Sequence, residues 1–317
     1  MSFSNIIAKQ RYDVDARLDQ LFPENARDSR LICAMRYALL SPGKRLRPLI
    51  TLFSWSDNGG EGVKPTDAAC AIEMVHAASL IMDDLPSMDN ARLRRGRLAT
   101  HVVFGEGPSM LAAVTLVSEA YRLIASGPAG DPLQKLRAIS HLAAAIGIDG
   151  LAGGQERDIM CRDGTETKSL REIEQRHREK TGALFAAAAA IGAELAGAEP
   201  ETVKKMKDYG AAFGLAYQAF DDVIDLESTS ENTGKDAWQD KGMSTVVSLL
   251  GSDGALHSAS RWLERAISIA QDSTAQGSPR LSQLAVCIRE QFGAVLAVSD
   301  AASETGERSF PQPPRKF

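Results

Sequence analysis

The chain has 317 residues, 44% of them hydrophobic and 24% charged, which is enough apolar content to bury a large core and excludes a disordered protein. A formal net charge of −5 excludes a general nucleic-acid binder, which would carry a basic face. No stretch is apolar for long enough to cross a bilayer, and the start, Met1-Ser2-Phe3-Ser4-Asn5, lacks a cationic segment followed by an apolar core. A cytoplasmic location follows as the expectation. No Pro/Gly/Ser-rich linker splits the chain, so one domain is expected over 1–317, with a loose tail from about Ser303. Cys33, Cys70, Cys161 and Cys287 are scattered without a CxxC pair and read as buried reduced thiols.

Apolar residues recur at helical spacing almost throughout, and β-branched alternation is scarce, so the predicted fold class is all-α. In chain order, a helix over Leu31–Leu40 ends at the turn Ser41-Pro42-Gly43, which leads into the basic run Lys44-Arg45-Leu46-Arg47. After the Asn58-Gly59-Gly60 loop, a helix over Pro65–Asp83 is apolar nearly all round and therefore buried. His76 and Asp83 are seven apart on it and share one face, and Glu73, one turn earlier, is placed to hold His76. Pro86 ends this helix inside an acidic cluster, Asp83-Asp84-Leu85-Pro86-Ser87-Met88-Asp89, and Arg92, Arg94, Arg95 and Arg97 follow at once. Helices are then expected over Ser109–Ala125, Leu133–Leu151 and Ser169–Ala196, the last with a run of small residues suited to close packing. A helix over Glu201–Leu226 carries Gln218, Asp221, Asp222 and Asp225 at i, i+3, i+4 and i+7, one polar stripe on an apolar rod. The loop Glu231-Asn232-Thr233-Gly234 follows, and further helices come after Thr245.

Acid pairs are common on helix surfaces, and a basic run is usually a solvated face. The pairing of two acidic clusters within apolar segments is more specific. Carboxylates in apolar surroundings need cationic partners, because desolvating them alone costs several kcal/mol or more. Oxygen-only ligands favour a hard cation, and Mg²⁺ typically takes one or two protein carboxylates and completes its octahedron with water and phosphate oxygens. The two clusters thus point to Mg²⁺ ions holding a diphosphate, and the planar forks of the nearby arginines suit phosphate as well.

These residues resemble the trans-isoprenyl diphosphate synthases, the family of farnesyl and geranylgeranyl diphosphate synthases. The resemblance runs from about Met35 to Gly251 and is carried by Gly43-Lys44-Arg45-Leu46-Arg47-Pro48, both acidic clusters, Arg94-Arg95-Gly96, Gly153-Gly154-Gln155 with Asp158, Lys180-Thr181 and Gln218. It implies a single-domain helical bundle around a deep central cavity, usually a homodimer. It also implies an isopentenyl diphosphate site at Gly43, Lys44, Arg47, His76 and Arg95. The allylic diphosphate site would comprise Arg94, Lys180, Thr181, Gln218 and Lys235, with Lys180 and Thr181 beside the developing cation. Mg²⁺, three ions per site, would be held by Asp83, Asp84, Asp89, Asp221, Asp222 and Asp225. The catalytic set so implied is Asp83, Asp84, Arg94, Lys180, Thr181, Asp221 and Asp222.

Product length in such enzymes is set below the first acidic cluster. Ala78 and Ser79 lie five and four residues before Asp83, roughly 6–7.5 Å along the helix. Farnesyl-forming bacterial relatives commonly carry an aromatic residue at the fifth position, so Ala78 implies a longer product, geranylgeranyl diphosphate (C20), made from farnesyl diphosphate or shorter primers. Farnesyl (C15) or C25 synthesis is the nearest alternative. One departure stands out: Met243 occupies a position where the family usually has a second lysine, and Lys241 is the candidate substitute. That change is the only support for a non-catalytic partner subunit. A terpene cyclase would need an Asn/Asp-Ser/Thr-Glu second motif instead of Asp221-Asp222-Val223-Ile224-Asp225.

Overall fold

The computed structural model describes residues 2–23, 29–162, 169–227, 245–273 and 279–305, with side chains described for all of these but 162, 225–227 and 294–305. Helices α1 (Phe3–Leu21) and α2 (Arg30–Leu39) are each started by a serine, Ser2 and Ser29, whose hydroxyl accepts a backbone N–H of the first turn. Helix α3 (Leu46–Asp57) has no such cap; Arg45 starts it from a left-handed backbone at φ 52°. Helix α4 (Thr66–Asp83) follows, then a two-stranded hairpin, β1 (Leu93–Arg94) and β2 (Arg97–Leu98), paired antiparallel. Its two-residue turn, Arg95-Gly96, has positive φ at both positions, the geometry that matches strand twist. Helices α5 (Thr100–Phe104), α6 (Glu106–Ser126), α7 (Pro132–Ile146), α8 (Leu151–Arg162) and α9 (Leu170–His177) come next.

A π-helical turn over Arg178–Gly182 joins α9 directly to α10 (Ala183–Leu195). The chain continues with α11 (Pro200–Glu227), α12 (Val246–Asp272) and α13 (Arg280–Thr305). Every residue of α10 from Leu184 to Leu195 is buried, and the helix packs on α3, α7 and α11. Its small residues permit this. A Cβ on Gly192 would lie 2.3 Å from the Thr51 carbonyl oxygen of α3. Helix α4 packs against α6, α3 and α1. The main apolar cluster draws side chains from α1 through to α13, and burying each large one contributes ~1.5–3 kcal/mol.

The all-α expectation holds: a two-residue hairpin is the one sheet among the described residues. No described helix is long and apolar enough to cross a membrane. Three expectations need correction. The helix expected over Leu133–Leu151 is two, because the chain folds back at Gly147 and Gly150; a Cβ on Gly150 would stand 2.1 Å from the Ala145 oxygen. The helix expected over Ser169–Ala196 is interrupted by the π turn. Only Cys70 is fully buried among the four free thiols, the others being half-buried. The Glu231–Gly234 loop, Lys235, Lys241, Met243 and most of the tail after Ser303 lie outside the described residues, as does the side chain of Asp225.

Candidate active site

Helix α4 ends at Asp83, and Asp84 is its C-cap. The loop beyond folds back tightly: the Asp89 N–H donates to the Asp83 carbonyl at 2.9 Å, while Met88 and Asn90 both donate to the Leu85 carbonyl at 2.9 and 3.0 Å. Asp89 is thereby returned to the side of Asp83, which gives the four residues between Asp84 and Asp89 a structural reason. Asp84 is buried and accepts from Arg94 of β1, through Nε at 2.9 Å and through Nη2 as well. The neighbouring carboxylate, Asp83, is governed first by desolvation. Burial pushes its carboxyl up to about 6, with Lys180 opposing and Asp89 adding to the rise.

Along α4 the residues His76, Ser79, Leu80 and Asp83 are less buried than Ala77, Ala78 and Ile81. The spacing i, i+3, i+4, i+7 marks one face, and that face opens on the site. Ser79 is on it, its hydroxyl donating to the His76 carbonyl at 2.9 Å. Ala78 is 3% exposed and turned into the packing.

The basic turn divides its labour. Arg45 is structural: it donates to Asp15 at 2.8 Å and to Glu73 at 2.6 Å, and to the carbonyls of Leu39 and Ser41. Glu73 therefore holds Arg45, not His76, a correction to the expected pairing. Lys44 reaches over the rings of Tyr217 and Phe292, at 5.6 and 5.4 Å. Desolvation by these walls lowers its pKa, against the pull of Asp221. The Arg47 guanidinium lies 4.1 Å over the Phe185 ring, and burial lowers it to about 10, so it remains a cation at neutral pH.

Arg95 bridges this turn to α4, donating to the Pro42 carbonyl at 3.1 Å with Nη2 3.4 Å from His76 Nε2. Burial, then Arg47 and Arg95, hold His76 well below its usual value; the ring is neutral, and its Nε2 accepts from Arg95. Gly43 leaves room for this, since a Cβ there would stand 2.9 Å from Arg95 Nη1. Lys44, Arg47 and Arg95, with the neutral His76 ring among them, thus form one cationic wall.

The opposite wall hangs on the π turn. Lys180 Nζ donates to Asp158 Oδ2 of α8 at 2.6 Å. Burial pulls Lys180 down, but Asp158, Asp83 and Asp89 together raise it above its ordinary value. The next residue faces the second acidic motif: Thr181 Oγ1 donates to Gln218 Oε1 at 2.7 Å, and Gln218 Nε2 donates to Asp222 Oδ1 at 2.8 Å. One helical defect therefore presents adjacent side chains to both acidic clusters. Bare backbone clamps it from two sides: a Cβ on Gly154 would lie 2.4 Å from the Lys180 nitrogen, and one on Gly214 would lie 2.7 Å from the Gly182 Cα.

The donors of both clusters are oxygens only, a set that fits Mg²⁺. The raised pKa of Asp83 reflects first the cost of burying its charge, which a bound divalent cation would offset. Among the described residues, no three acidic, His or Cys side chains form a ready-made metal cage.

Some functional neighbours carried no usable signal in the sequence. Phe292 of α13 stacks on Phe220 at 4.1 Å beside Asp221, although more than sixty residues separate them. Asp158 was visible as part of a motif, but not as the partner of Lys180.

The polyprenyl synthetase family model matches residues 28–275. A geranylgeranyl diphosphate synthase of Pantoea ananas is 42% identical over 243 residues, covering 75% of this chain and 78% of its own length. A chloroplastic geranylfarnesyl diphosphate synthase of Leucosceptrum canum is 42% identical over 224 residues, covering 69% of this chain and 62% of its own length. The crystal structure of a Helicobacter pylori geranyltransferase complexed with magnesium and isoprenyl diphosphate superposes with a TM-score of 0.78 at 25% identity, covering 92% of this chain and 98% of that one.

Proposed function

The chain belongs to the polyprenyl synthetase family, and on that footing we propose that it is a Mg²⁺-dependent trans-prenyltransferase that condenses isopentenyl diphosphate with an allylic diphosphate to give geranylgeranyl diphosphate (C20) and diphosphate. The observation that carries the proposal is the π turn, which sets Lys180 against the first acidic cluster and Thr181 against the second through Gln218. Farnesyl diphosphate or a shorter primer is the allylic partner. A main apolar cluster drawing on helices from α1 to α13, with a small second one between α9, α11 and α12, supports a single domain over 1–317.

Lys44, Arg47 and Arg95, with Gly43 making room and neutral His76 fixing Arg95, bind the diphosphate of isopentenyl diphosphate. Asp83, Asp84, Asp89, Asp221, Asp222 and Asp225 would hold three Mg²⁺ ions. Bound there, the metal supplies Lewis-acid neutralisation of the charge that builds on the leaving diphosphate. Arg94, Lys180 and Lys235 add positive charge at the same oxygens, electrostatic stabilisation of the kind that usually dominates catalysis. Lys180 and Thr181 sit beside the allylic carbon as its C–O bond ionises, with the Thr181 hydroxyl tied through Gln218 to Asp222. The isopentenyl double bond then attacks, and the departing diphosphate takes the proton released. No protein nucleophile is required, and the apolar walls of α4 and α11 exclude the water that would trap a carbocation.

Small side chains at Ala78 and Ser79 support the C20 product. Val102, Val103, Met110, Leu111 and Val114 of α5 and α6 are exposed as one apolar face, which supports a homodimer in which a second copy covers it. Four free thiols support a reducing compartment such as the cytoplasm. Incubation with isopentenyl diphosphate and each allylic primer, with and without Mg²⁺, tests the whole reading. A single C20 product that requires the metal is expected. A C15 or C25 end product overturns the chain length, and no product with any primer overturns the activity.

A further inference from the structure

Of the arginines that follow the first acidic cluster, Arg94 and Arg95 belong to the site, whereas Arg97 does not enter the catalytic account above. Arg97 closes the hairpin turn and stands opposite Arg94 across the strands. Like charges paired in this way repel. Arg94 is drawn to buried Asp84, while the Arg97 guanidinium lies 4.0 Å over the Tyr37 ring of α2 and donates to Ser41 Oγ at 3.3 Å. A ring and a hydroxyl hold this cation, not a carboxylate.

Tyr37 is engaged from both ends. Its hydroxyl donates to the Leu98 carbonyl of β2 at 2.8 Å, and its own carbonyl accepts from Ser41 Oγ at 2.8 Å. One residue further on, the Pro42 carbonyl accepts from Arg95 at 3.1 Å. These bonds and the ring contact fasten the hairpin to α2 and to the turn that opens the Lys44–Arg47 run. The hairpin depends on them: with two residues per strand its own pairing is marginal, and neither strand packs broadly on a helix. Its turn also holds Arg95 at φ 53°, a left-handed backbone that persists in an arginine only where its surroundings impose it.

The two site arginines differ in what holds them. Arg94 has the buried Asp84 carboxylate, through two of its nitrogens. Arg95 has a carbonyl and the neutral His76 ring, so its place follows that of the hairpin. We propose that Tyr37 and Arg97 are positioning residues: their clasp sets the hairpin against the basic turn and so fixes Arg95 beside Lys44 and Arg47 as one wall for isopentenyl diphosphate. The inference rests on the proposed prenyl transfer for the identity of that anion, but not for the clasp itself.

Tyr37→Phe keeps the ring and loses the hydroxyl, Arg97→Ala removes the guanidinium, and Arg97→Lys keeps a cation over the ring. Loss of one such contact corresponds to a roughly three- to tenfold change. The KM for isopentenyl diphosphate should rise by about that factor in Tyr37→Phe and Arg97→Ala and be partly restored in Arg97→Lys, with the allylic KM nearly unchanged. The effects of Tyr37→Leu and Arg97→Ala should fail to multiply in the double variant, because the two side chains act as one unit. Melting temperatures identify the folded variants, and Tyr37→Phe, the mildest change, decides if Tyr37→Leu does not fold. Wild-type KM values in Tyr37→Phe beside a raised value in Arg97→Ala would assign Arg97 to the substrate directly and overturn the proposal. Equal rises in both KM values, fully multiplicative effects, or a lowered melting temperature with wild-type KM values would overturn it as well. Calorimetric titration of the metal-free protein with isopentenyl diphosphate and with inorganic diphosphate reads the same wall without turnover. Weaker binding in Tyr37→Phe and Arg97→Ala upholds the clasp even if the wild type forms no prenyl product, whereas binding equal to that of the wild type overturns it.

Discussion

Gly154→Ala is a test of the clamp on the π turn, because two physical effects of opposite sign meet at this residue. In an exposed helix interior, replacing Gly by Ala stabilises by roughly 0.5–1 kcal/mol. At Gly154 the new methyl would stand 2.4 Å from the Lys180 nitrogen, 2.8 Å from its Cα and 2.9 Å from the Glu179 carbonyl carbon. Ordinary contact needs close to an ångström more, and all three of these neighbours are backbone atoms, so α8 and the turn must move apart. Overpacking of this kind costs ~1–3 kcal/mol, which outweighs the propensity gain. The functional cost is larger, since displacing a catalytic group by ~1 Å reduces turnover on the order of a hundredfold. Gly293→Ala in α13, where the added methyl meets no described residue outside its own stretch of helix within 4 Å, is the matched control and should be neutral or slightly stabilising. Thermal melts and steady-state prenyl transfer on both variants provide the comparison. A Gly154→Ala protein with wild-type kcat and a raised melting temperature would refute the argument that backbone contact sets the position of Lys180.

Other perturbations address separate parts of the site. Asp83 titrates near 6 in the folded chain, above its unfolded value, so its contribution to stability is present at low pH and lost as pH rises through about 6. Asp83→Asn should therefore raise the melting temperature of the metal-free protein at pH 7–8 while abolishing turnover; an unchanged or lowered melting temperature there contradicts the burial of an uncompensated charge. Arg47→Ala should raise the KM for isopentenyl diphosphate far more than that for the allylic substrate, and equal effects would remove Arg47 from the cationic wall. Ser79→Phe should shorten the product toward C15 at little cost in stability, because Ser79 is on the open face of α4. Ala78→Tyr, at a buried position, should lower the melting temperature as well as shorten the product. Unaltered C20 synthesis by a folded Ser79→Phe protein would move the length determinant elsewhere.

The parts of the molecule legible in the sequence were those encoded by local periodicity. Helix α4 announced its burial by being apolar on all sides, and the stripe from Gln218 to Asp222 was readable from spacing alone. What escaped were features decided by contacts distant along the chain. Helix α3 lacks a capping side chain and begins from a left-handed arginine, whose conformation is held by Asp15 and Glu73 on two other helices. Nothing near Glu73 in sequence distinguishes Arg45 from His76 as its partner. The break between α7 and α8 was hidden because Gly147 and Gly150 act through close backbone approach, which a periodicity count tolerates. Phe292 reaches the site only because α13 crosses it.

A π-helical turn is equivalent to one residue inserted into an α-helix, and an inserted residue rotates everything downstream by about 100°. For an amphipathic helix that phase error would swing polar groups into the core. Helix α10 has no polar face to misplace along most of its length: from Leu184 to Ala193 it presents Leu, Phe, Ile, Gly and a run of alanines in every direction. It is close to rotationally degenerate, so the insertion is absorbed there without rearranging the helices around it. The alanine-rich rod acts as a phase buffer, and this tolerance leaves the lysine and threonine of the turn free to be aimed at two different walls of one cleft.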